Sequence, residues 1–490
     1  MTRSRAELAP VAAVIAISGA VAGAYFANRP HLDIFPDTPV YAAVADHLPS
    51  SFISAGRLPG YPVLMAISSW LPGGRDVALV VLQCLMFVAA VVFIYLIARV
   101  ALGHAWVAFV VAFLIATDLL MAGFARIAMS ETIAVFLTTG VALAAVAYLR
   151  SAQLKHLWLT AALMAALLLT RPEYAFLGIV LLPYLLVVMW RRGQLDRRLL
   201  AQGAASVAMV VLVVVGYSAA NWIVNGYLGI SNIGNVALLG KVMVYRMEGE
   251  APPPYDRYTA LVSAIGPAAG PWPLMQIAPF NDPNHQLAGD FARAVVEKDP
   301  VGFANHTFGT ILTSSTDYDA VYLRINDQGA FAPELHKLLA LDERRYAAFV
   351  LVPALALVWL VFGLVARPEN HRAQVMGAMS VIVIYGTLTA AAGTFDEFGR
   401  IHMPINGLST LLVVGSLFFN LELAYKLRNL TALIPLWVAA IKIAYIALIP
   451  IVHSTRITAV ALAAIAVLQA LVLVGWSTRP TAAQVPAPAS

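Results

Sequence analysis

The chain has 490 residues, of which 61% are hydrophobic and 12% charged, with a formal net charge of +5. A soluble protein carries about a quarter charged residues, so this composition excludes a soluble globular domain and points to a polytopic membrane protein. The basic residues fall in short clusters between apolar runs rather than in one patch. That pattern reads as membrane topology and not as a nucleic-acid surface.

In chain order, the first apolar run, 10–27, follows Arg3 and Arg5. It is long for a signal-peptide core and the Asn-Arg-Pro after it is a poor cleavage site, so it reads as a retained signal-anchor helix. Further runs long enough to cross the hydrocarbon core lie at 77–99, 105–124, 127–149, 157–170, 174–190, 199–225, 346–366, 373–393, 402–421, 430–452 and 457–476. The expectation is an all-α integral membrane protein with about twelve spans. Cys84, the one cysteine, sits inside the second run and reads as small hydrophobic filler, with no disulfide framework and no thiolate metal site.

With a cytoplasmic N-terminus, clusters such as Arg191-Arg192, Arg197-Arg198, Arg367 with Arg372, and Lys426 with Arg428 all fall on the cytoplasmic side. This places the protein in the cytoplasmic membrane with both termini inside. Two long connections, 28–76 and 226–345, then fall outside. The second is rich in Pro, Gly and acids and is large enough for a small subdomain with amphipathic pieces such as 290–312. The expected division is an N-terminal membrane module over 1–225, an extracytoplasmic subdomain over 226–345, C-terminal helices over 346–478, and a disordered Pro/Ala-rich tail over 479–490. Transporters usually keep short outer loops and show two similar halves. No such repeat is visible, and the lopsided layout suits an enzyme working at the outer face.

The unusual polar residues collect at the outer ends of these runs. Asp33, Asp37 and Tyr41 stand in "DIFPDTPVY", and Arg57 and Tyr61 follow in "RLPGYPVLMA". Arg126 and Glu131 ("FARIAMSE") mark the next outer junction, and Arg171 and Glu173 ("LTRPEY") the one after. Asp396, Glu397, Arg400 and His402 ("GTFDEFGRIHMP") mark the junction of the ninth and tenth runs. Four junctions far apart in sequence thus bring acids and arginines to one bilayer face.

Each residue has a plainer reading. Asp37 stands where an acid caps the helix beginning at Thr38, with Pro39 in its first turn. Glu131 at the edge of an apolar run costs about 2.5–3.5 kcal/mol unless paired or wet, and Arg126 is its nearest basic partner in sequence. Glu173 suits the first turn of a helix begun by Pro172. "FDEFGR" reads equally as an interfacial loop with one ion pair. Asp118 either lines the same cavity from below Arg126 or belongs to an ion-pair ladder. Lys442 falls near the middle of its run and is expected to face the bundle interior. His285, His306 and His336 show no tight His/Cys/Asp spacing, so no dedicated metal site is expected.

An outward pocket with a carboxylate, several arginines and apolar walls suits a substrate with an anionic head on a lipid tail. Arginine binds phosphate through a planar fork and stays charged when partly desolvated. A carboxylate on a loop pinned by Pro36 and Pro39 can take a proton from an attacking hydroxyl or amine. An arginine beside the phosphate stabilises charge on the leaving group.

The same pieces of sequence, with "SETIAVFL", "TRPEYAFL" and "GRIHMPINGLSTLL", resemble membrane glycosyltransferases of the C fold (GT-C). The likeness is to the bacterial branch related to protein O-mannosyltransferases and aminoarabinose transferases. The resemblance implies a GT-C-like fold and transfer of a sugar, with inversion, from a polyprenyl-phosphate donor to a glycan, lipid or protein acceptor. It implies Asp37 as the general base, with Asp33 the second choice, and Arg400 on the lipid phosphate. Arg171, Arg57 and Arg126 are the other donor-binding candidates. Glu131, Glu173, Asp396 and Glu397 would be pocket acids, with Tyr41, Tyr61 and His402 beside them. Where many relatives place a second acid next to the first, this chain has Thr38, and Ile401 stands where an aromatic often follows the arginine. No metal is assumed, although a divalent ion stays open. The alternative is a transporter or flippase of an amphiphilic anion, which predicts Lys442 and Asp118 close together at the midplane.

Overall fold

The computed structural model describes residues 5–28, 32–318, 332–395, 397–427, 430–448 and 455–477. Asp396 and the tail over 479–490 lie outside the described residues. Among the described residues the regular structure is helical, and the one strand-like pairing is an isolated bridge between Asp33 and Ile127.

The apolar runs fall on helices. After α1 (Arg5–Asn28) come two short helices of the first long connection, α2 (Thr38–Asp46) and α3 (Gly60–Ser68), and then α4 (Gly74–Leu102). Among the described residues, seven helices are long and apolar enough to cross a membrane: Gly74–Leu102, Glu131–Ser151, Pro172–Arg191, Arg197–Asn225, Lys337–Val365, His371–Gly393 and Phe398–Lys426. The remaining runs lie on shorter apolar helices such as Leu8–Ala24, Leu154–Leu168 and Thr458–Val474. The chain is a multi-pass membrane protein, with seven helices meeting the length and composition of a span where about twelve were expected.

One expected span is two helices. The run over 105–124 breaks into α5 (Ala105–Ala116) and α6 (Leu119–Phe124). Asp118 is the cause, because its carboxylate turns back to accept from Met121 N at 2.9 Å and caps α6. Asp118 and Arg126 therefore flank the short α6 and do not lie on one continuous helix. Beyond it follow α7 (Glu131–Ser151), α8 (Leu154–Leu168), α9 (Leu177–Arg191) and α10 (Arg197–Asn225). Gly103 (φ 77°) and Gly226 (φ 67°) end α4 and α10 in the left-handed region that favours glycine.

The segment after α10 builds a small core of its own. Helices α11 (Ile233–Val244), α12 (Thr259–Ile265) and α13 (Gln286–Lys298) bury Val236, Leu239, Phe280, Phe291 and Val295 together. Next, α14 (Pro300–Ser314) and α15 (Ala332–Tyr346) lead back to the bundle. The bundle is completed by α16 (Val352–Val365), α17 (His371–Gly393), the short α18 (Phe398–His402), α19 (Asn406–Leu427), α20 (Ile434–Leu448) and α21 (Thr455–Ser477). Helix α4 packs on α7, α17 and α19, and α17 packs in turn on α7 and α19. The small core is tied to the bundle through Tyr245, whose hydroxyl meets Thr310 Oγ1 at 3.1 Å and donates to Ala391 O at 3.4 Å.

Candidate functional site

Backbone pairing zips the first loop onto the junction that precedes α7. Asp33 N donates to Arg126 O (2.9 Å) and Ala128 N donates to Asp33 O (3.0 Å). Arg126 Nη2 then pairs with the Asp33 carboxylate at 2.5 Å. Thr38 Oγ1 accepts from Phe35 N (2.9 Å) and donates to Ala128 O (3.0 Å), which closes the turn that carries Asp37. Arg126 is thus the partner of Asp33, not of Glu131 as sequence proximity suggested.

Asp37 occupies the N-cap position of α2, yet its side chain makes no capping bond. It pairs with Arg57 Nη2 at 2.5 Å, at the more open end of the site, where its side chain is 31% exposed. Arg57 is steadied by lying over the Tyr41 ring, 5.1 Å from the centroid. Tyr41 meets Tyr61 edge-on at 5.0 Å, and its hydroxyl reaches Ser130 Oγ at 3.5 Å. Burial pushes the Tyr41 phenol up, with Arg57 pulling the other way. Tyr61 donates to Gln83 Oε1 at 3.0 Å, and Gln83 Nε2 donates to Ala125 O and Ile127 O at 3.0 Å each.

Ser130 leads directly to Glu131, the first residue of α7 and 1% exposed. Its Oε1 accepts from Arg400 Nη1 at 3.0 Å. Arg171 Nη1 lies 3.5 Å from the same oxygen, within ion-pair range but without a hydrogen bond. Among the described residues no group donates to Oε2 of Glu131. Leaving a buried charged group short of a bond costs on the order of 1–3 kcal/mol or more, so the gap calls for an explanation. Two outer acids hold the forks from the other side, Glu173 on Arg171 Nε and Glu397 on Arg400 Nη2. Asp37 lies near enough for its charge to act on Arg400.

Two close approaches set these positions. Gly60 N donates to Leu169 O at 2.8 Å, and a Cβ on Gly60 would sit 2.8 Å from Thr170 Cα, so only glycine lets the first loop reach the Arg171 corner. Ahead of Arg400, the Phe395 ring is pegged into the small core. A Cβ on Gly240 would lie 2.5 Å from its Cδ1, and one on Gly270 3.3 Å from its Cε2.

Behind Arg400 runs a chain of buried neutral groups around one acid. His402 Nε2 meets Thr387 Oγ1 (3.2 Å) and its Nδ1 meets Asn406 Oδ1 (2.8 Å). Asn406 Nδ2 donates to the Tyr346 hydroxyl (3.0 Å), which donates to Asp118 Oδ2 (2.8 Å). His402 therefore turns into this chain, and Asp118 belongs to it. Lys442 is buried, as expected for an inward-facing residue, and donates to Thr458 Oγ1 at 2.9 Å. Sequence reasoning missed Ser130, Gln83, Thr387, Asn406 and Tyr346, since a neutral polar group in an apolar run carries no charge to mark it. Among the described residues no group of three or more His, Cys, Asp or Glu stands together as a metal site would need.

Residues 56–217, less than half of the chain, match the sequence profile of the dolichyl-phosphate-mannose-protein mannosyltransferase family. That stretch holds Arg57, Arg126, Glu131, Arg171 and Glu173, while Asp37 and Arg400 lie outside it. No curated protein matches the chain by sequence. Among solved structures, the chain is similar to the archaeal oligosaccharyltransferase AglB from Archaeoglobus fulgidus, in complex with an inhibitory peptide and a dolichol-phosphate. The TM-score is 0.44 and the identity 12%, over 95% of this chain and 56% of that one. It is also similar to ArnT from Cupriavidus metallidurans bound to undecaprenyl phosphate, with TM-score 0.34 and 16% identity over 84% of this chain and 79% of that one. The chain thus spans little more than half the length of the archaeal enzyme.

Proposed function

We propose that the protein is a membrane glycosyltransferase that moves a sugar from a polyprenyl-phosphate donor to an acceptor at the extracytoplasmic face, with inversion at the sugar carbon. The observation that carries the reading is the meeting of Glu131, Arg171 and Arg400, joined through Ser130 and Tyr41 to the Arg57–Asp37 pair. The family-profile match over residues 56–217 supports it from the sequence side.

In the proposed step Asp37 takes the proton from the acceptor hydroxyl or amine as that group attacks the sugar carbon. The bond from that carbon to the phosphate oxygen breaks, and polyprenyl phosphate leaves with the electron pair. Arg171 and Arg400, buried and preorganised, stabilise the charge on the leaving phosphate. Arg57 occupies the Asp37 carboxylate, so Asp37 has to leave Arg57 before it can receive the proton. An anionic donor head gives Arg57 another partner at that moment. No metal is written into the step, and a chelator series tests whether a divalent ion is needed.

The test uses purified full-length protein and a panel of labelled polyprenyl-phosphate sugars, with release of the lipid phosphate as readout. One member of the panel should turn over, and Asp37→Asn should slow it by about 10²–10⁴-fold while the protein stays folded. Unchanged turnover in that variant removes Asp37 from the role.

A further inference from the structure

Arg171 and Arg400 come from distant parts of the chain and lie close enough to repel each other. Their side chains are 5% and 10% exposed, so water does little to screen them. Glu173 and Glu397 each pair with one of the two forks, and Glu131 supplies the counter-charge shared between them, but in an unsaturated way. Its Oε1 serves Arg400 at 3.0 Å and stands 3.5 Å from Arg171 Nη1, and neither Arg171 Nη1 nor Glu131 Oε2 makes a hydrogen bond among the described residues. A purely structural ion cluster at this depth is normally saturated. One donor, Arg171 Nη1, and one acceptor, Glu131 Oε2, are thus left unmatched within the same buried cluster.

We propose that Glu131 is a carboxylate stand-in for the phosphate head of the lipid. It holds the anion position between Arg171 and Arg400 while that position is empty and competes with the phosphate for both forks. This rests on the glycosyl-transfer reading above. A carboxylate offers two oxygens in one plane from a fixed point on α7, and reaches one fork well and the other poorly. A phosphate offers three oxygens on a tetrahedral centre and can serve both forks.

The competition bears most on the product. The donor phosphodiester carries one negative charge, whereas a phosphate monoester carries roughly −1.5 to −2 at neutral pH. Without Glu131, the two buried arginines, each keeping only Glu173 or Glu397 beside it, would hold that product harder. Glu131, anchored beside them, repels the more charged species more strongly and retakes the forks as it departs. It thereby favours release after transfer, and no bond to Glu131 forms or breaks.

The experiment titrates the full-length protein in detergent with farnesyl phosphate, using farnesol as the uncharged control. Glu131→Gln keeps the shape and removes the charge. It should bind farnesyl phosphate about tenfold tighter than the unaltered protein, with farnesol affinity unchanged. Glu131→Asp keeps the charge on a shorter arm and should fall between the two. Equal or weaker binding of the phosphate by the Gln variant overturns the stand-in role. Should the Gln variant fail to fold, the Asp variant decides by the same criterion. If the unaltered protein prefers the phosphate to the alcohol and neither variant tightens, only this inference fails. If it shows no preference for the phosphate, the glycosyl-transfer reading fails and takes the stand-in with it.

Discussion

Arg400 Nη1 reaches Glu131 Oε1 at 3.0 Å across 269 positions of sequence, inside the bundle where both side chains are nearly closed to solvent. Removing one partner of such a pair strands the other's charge. Arg400→Gln should therefore destabilise the protein by about 3 kcal/mol, read as a drop in apparent Tm in detergent. Adding Glu131→Gln should return part of that loss, because the stranded charge goes with it. A double variant no more stable than Arg400→Gln alone contradicts the coupling.

Gly60 tests the seam between the first loop and the Arg171 corner. A methyl there meets backbone rather than a movable side-chain end, with Thr170 Cα at 2.8 Å and Leu169 O at 2.9 Å. Gly60→Ala should cost about 1–3 kcal/mol of stability. The loop would also pull away from Arg171, so donor turnover should fall more than stability alone explains. A variant with unchanged turnover and Tm means the seam is loose.

Tyr346 bridges Asp118 and Asn406 through one hydroxyl. Phenylalanine keeps the ring and leaves both groups short of a partner, at about 1–3 kcal/mol for each. Tyr346→Phe should lower Tm clearly, whereas Tyr318→Phe, at a half-buried ring whose hydroxyl donates to Asp342, should lower it less. Equal effects would mean that the chain behind Arg400 contributes little.

His285 gives the small core a pH response. Burial pulls its imidazole below the ordinary histidine range, with Asp282 opposing. The unfolded chain therefore binds the proton more readily, so stability is full above about pH 6.5 and declines as pH falls through that value. His285 also adopts φ 51°, a conformation that asparagine tolerates well. His285→Asn should flatten the decline between about pH 6.5 and 5 without loss of stability at pH 8. A slope that survives the substitution assigns the response to another group.

Much of the bundle was legible because a bilayer demands apolar runs of a set length, and the helices carry them. The junction acids and arginines were legible because charge beside lipid is anomalous. Partner choice was not. Arg126 is far nearer to Glu131 in sequence than Arg400 is, yet the bridge between Asp33 and Ile127 delivers Asp33 to Arg126 first. Likewise Asp37 had every local mark of a helix cap, and only the folded loop shows Arg57 taking its carboxylate. The break at Asp118 was hidden because one acid in an apolar run says nothing about which backbone amide it will serve.

The Phe395 peg adds a second tie, beside Tyr245, between the small core and the bundle. Its ring fills the space above Gly240 and Gly270 of the small core, five residues before Arg400 in the chain. A displacement of the small core would therefore be passed through Phe395 towards the start of the arginine's helix, as a latch passes its movement to a bolt. Gly240→Ala, which crowds the peg by pressing on Phe395 Cδ1, should therefore be felt at Arg400 as altered farnesyl phosphate affinity, although the substituted glycine never meets the lipid.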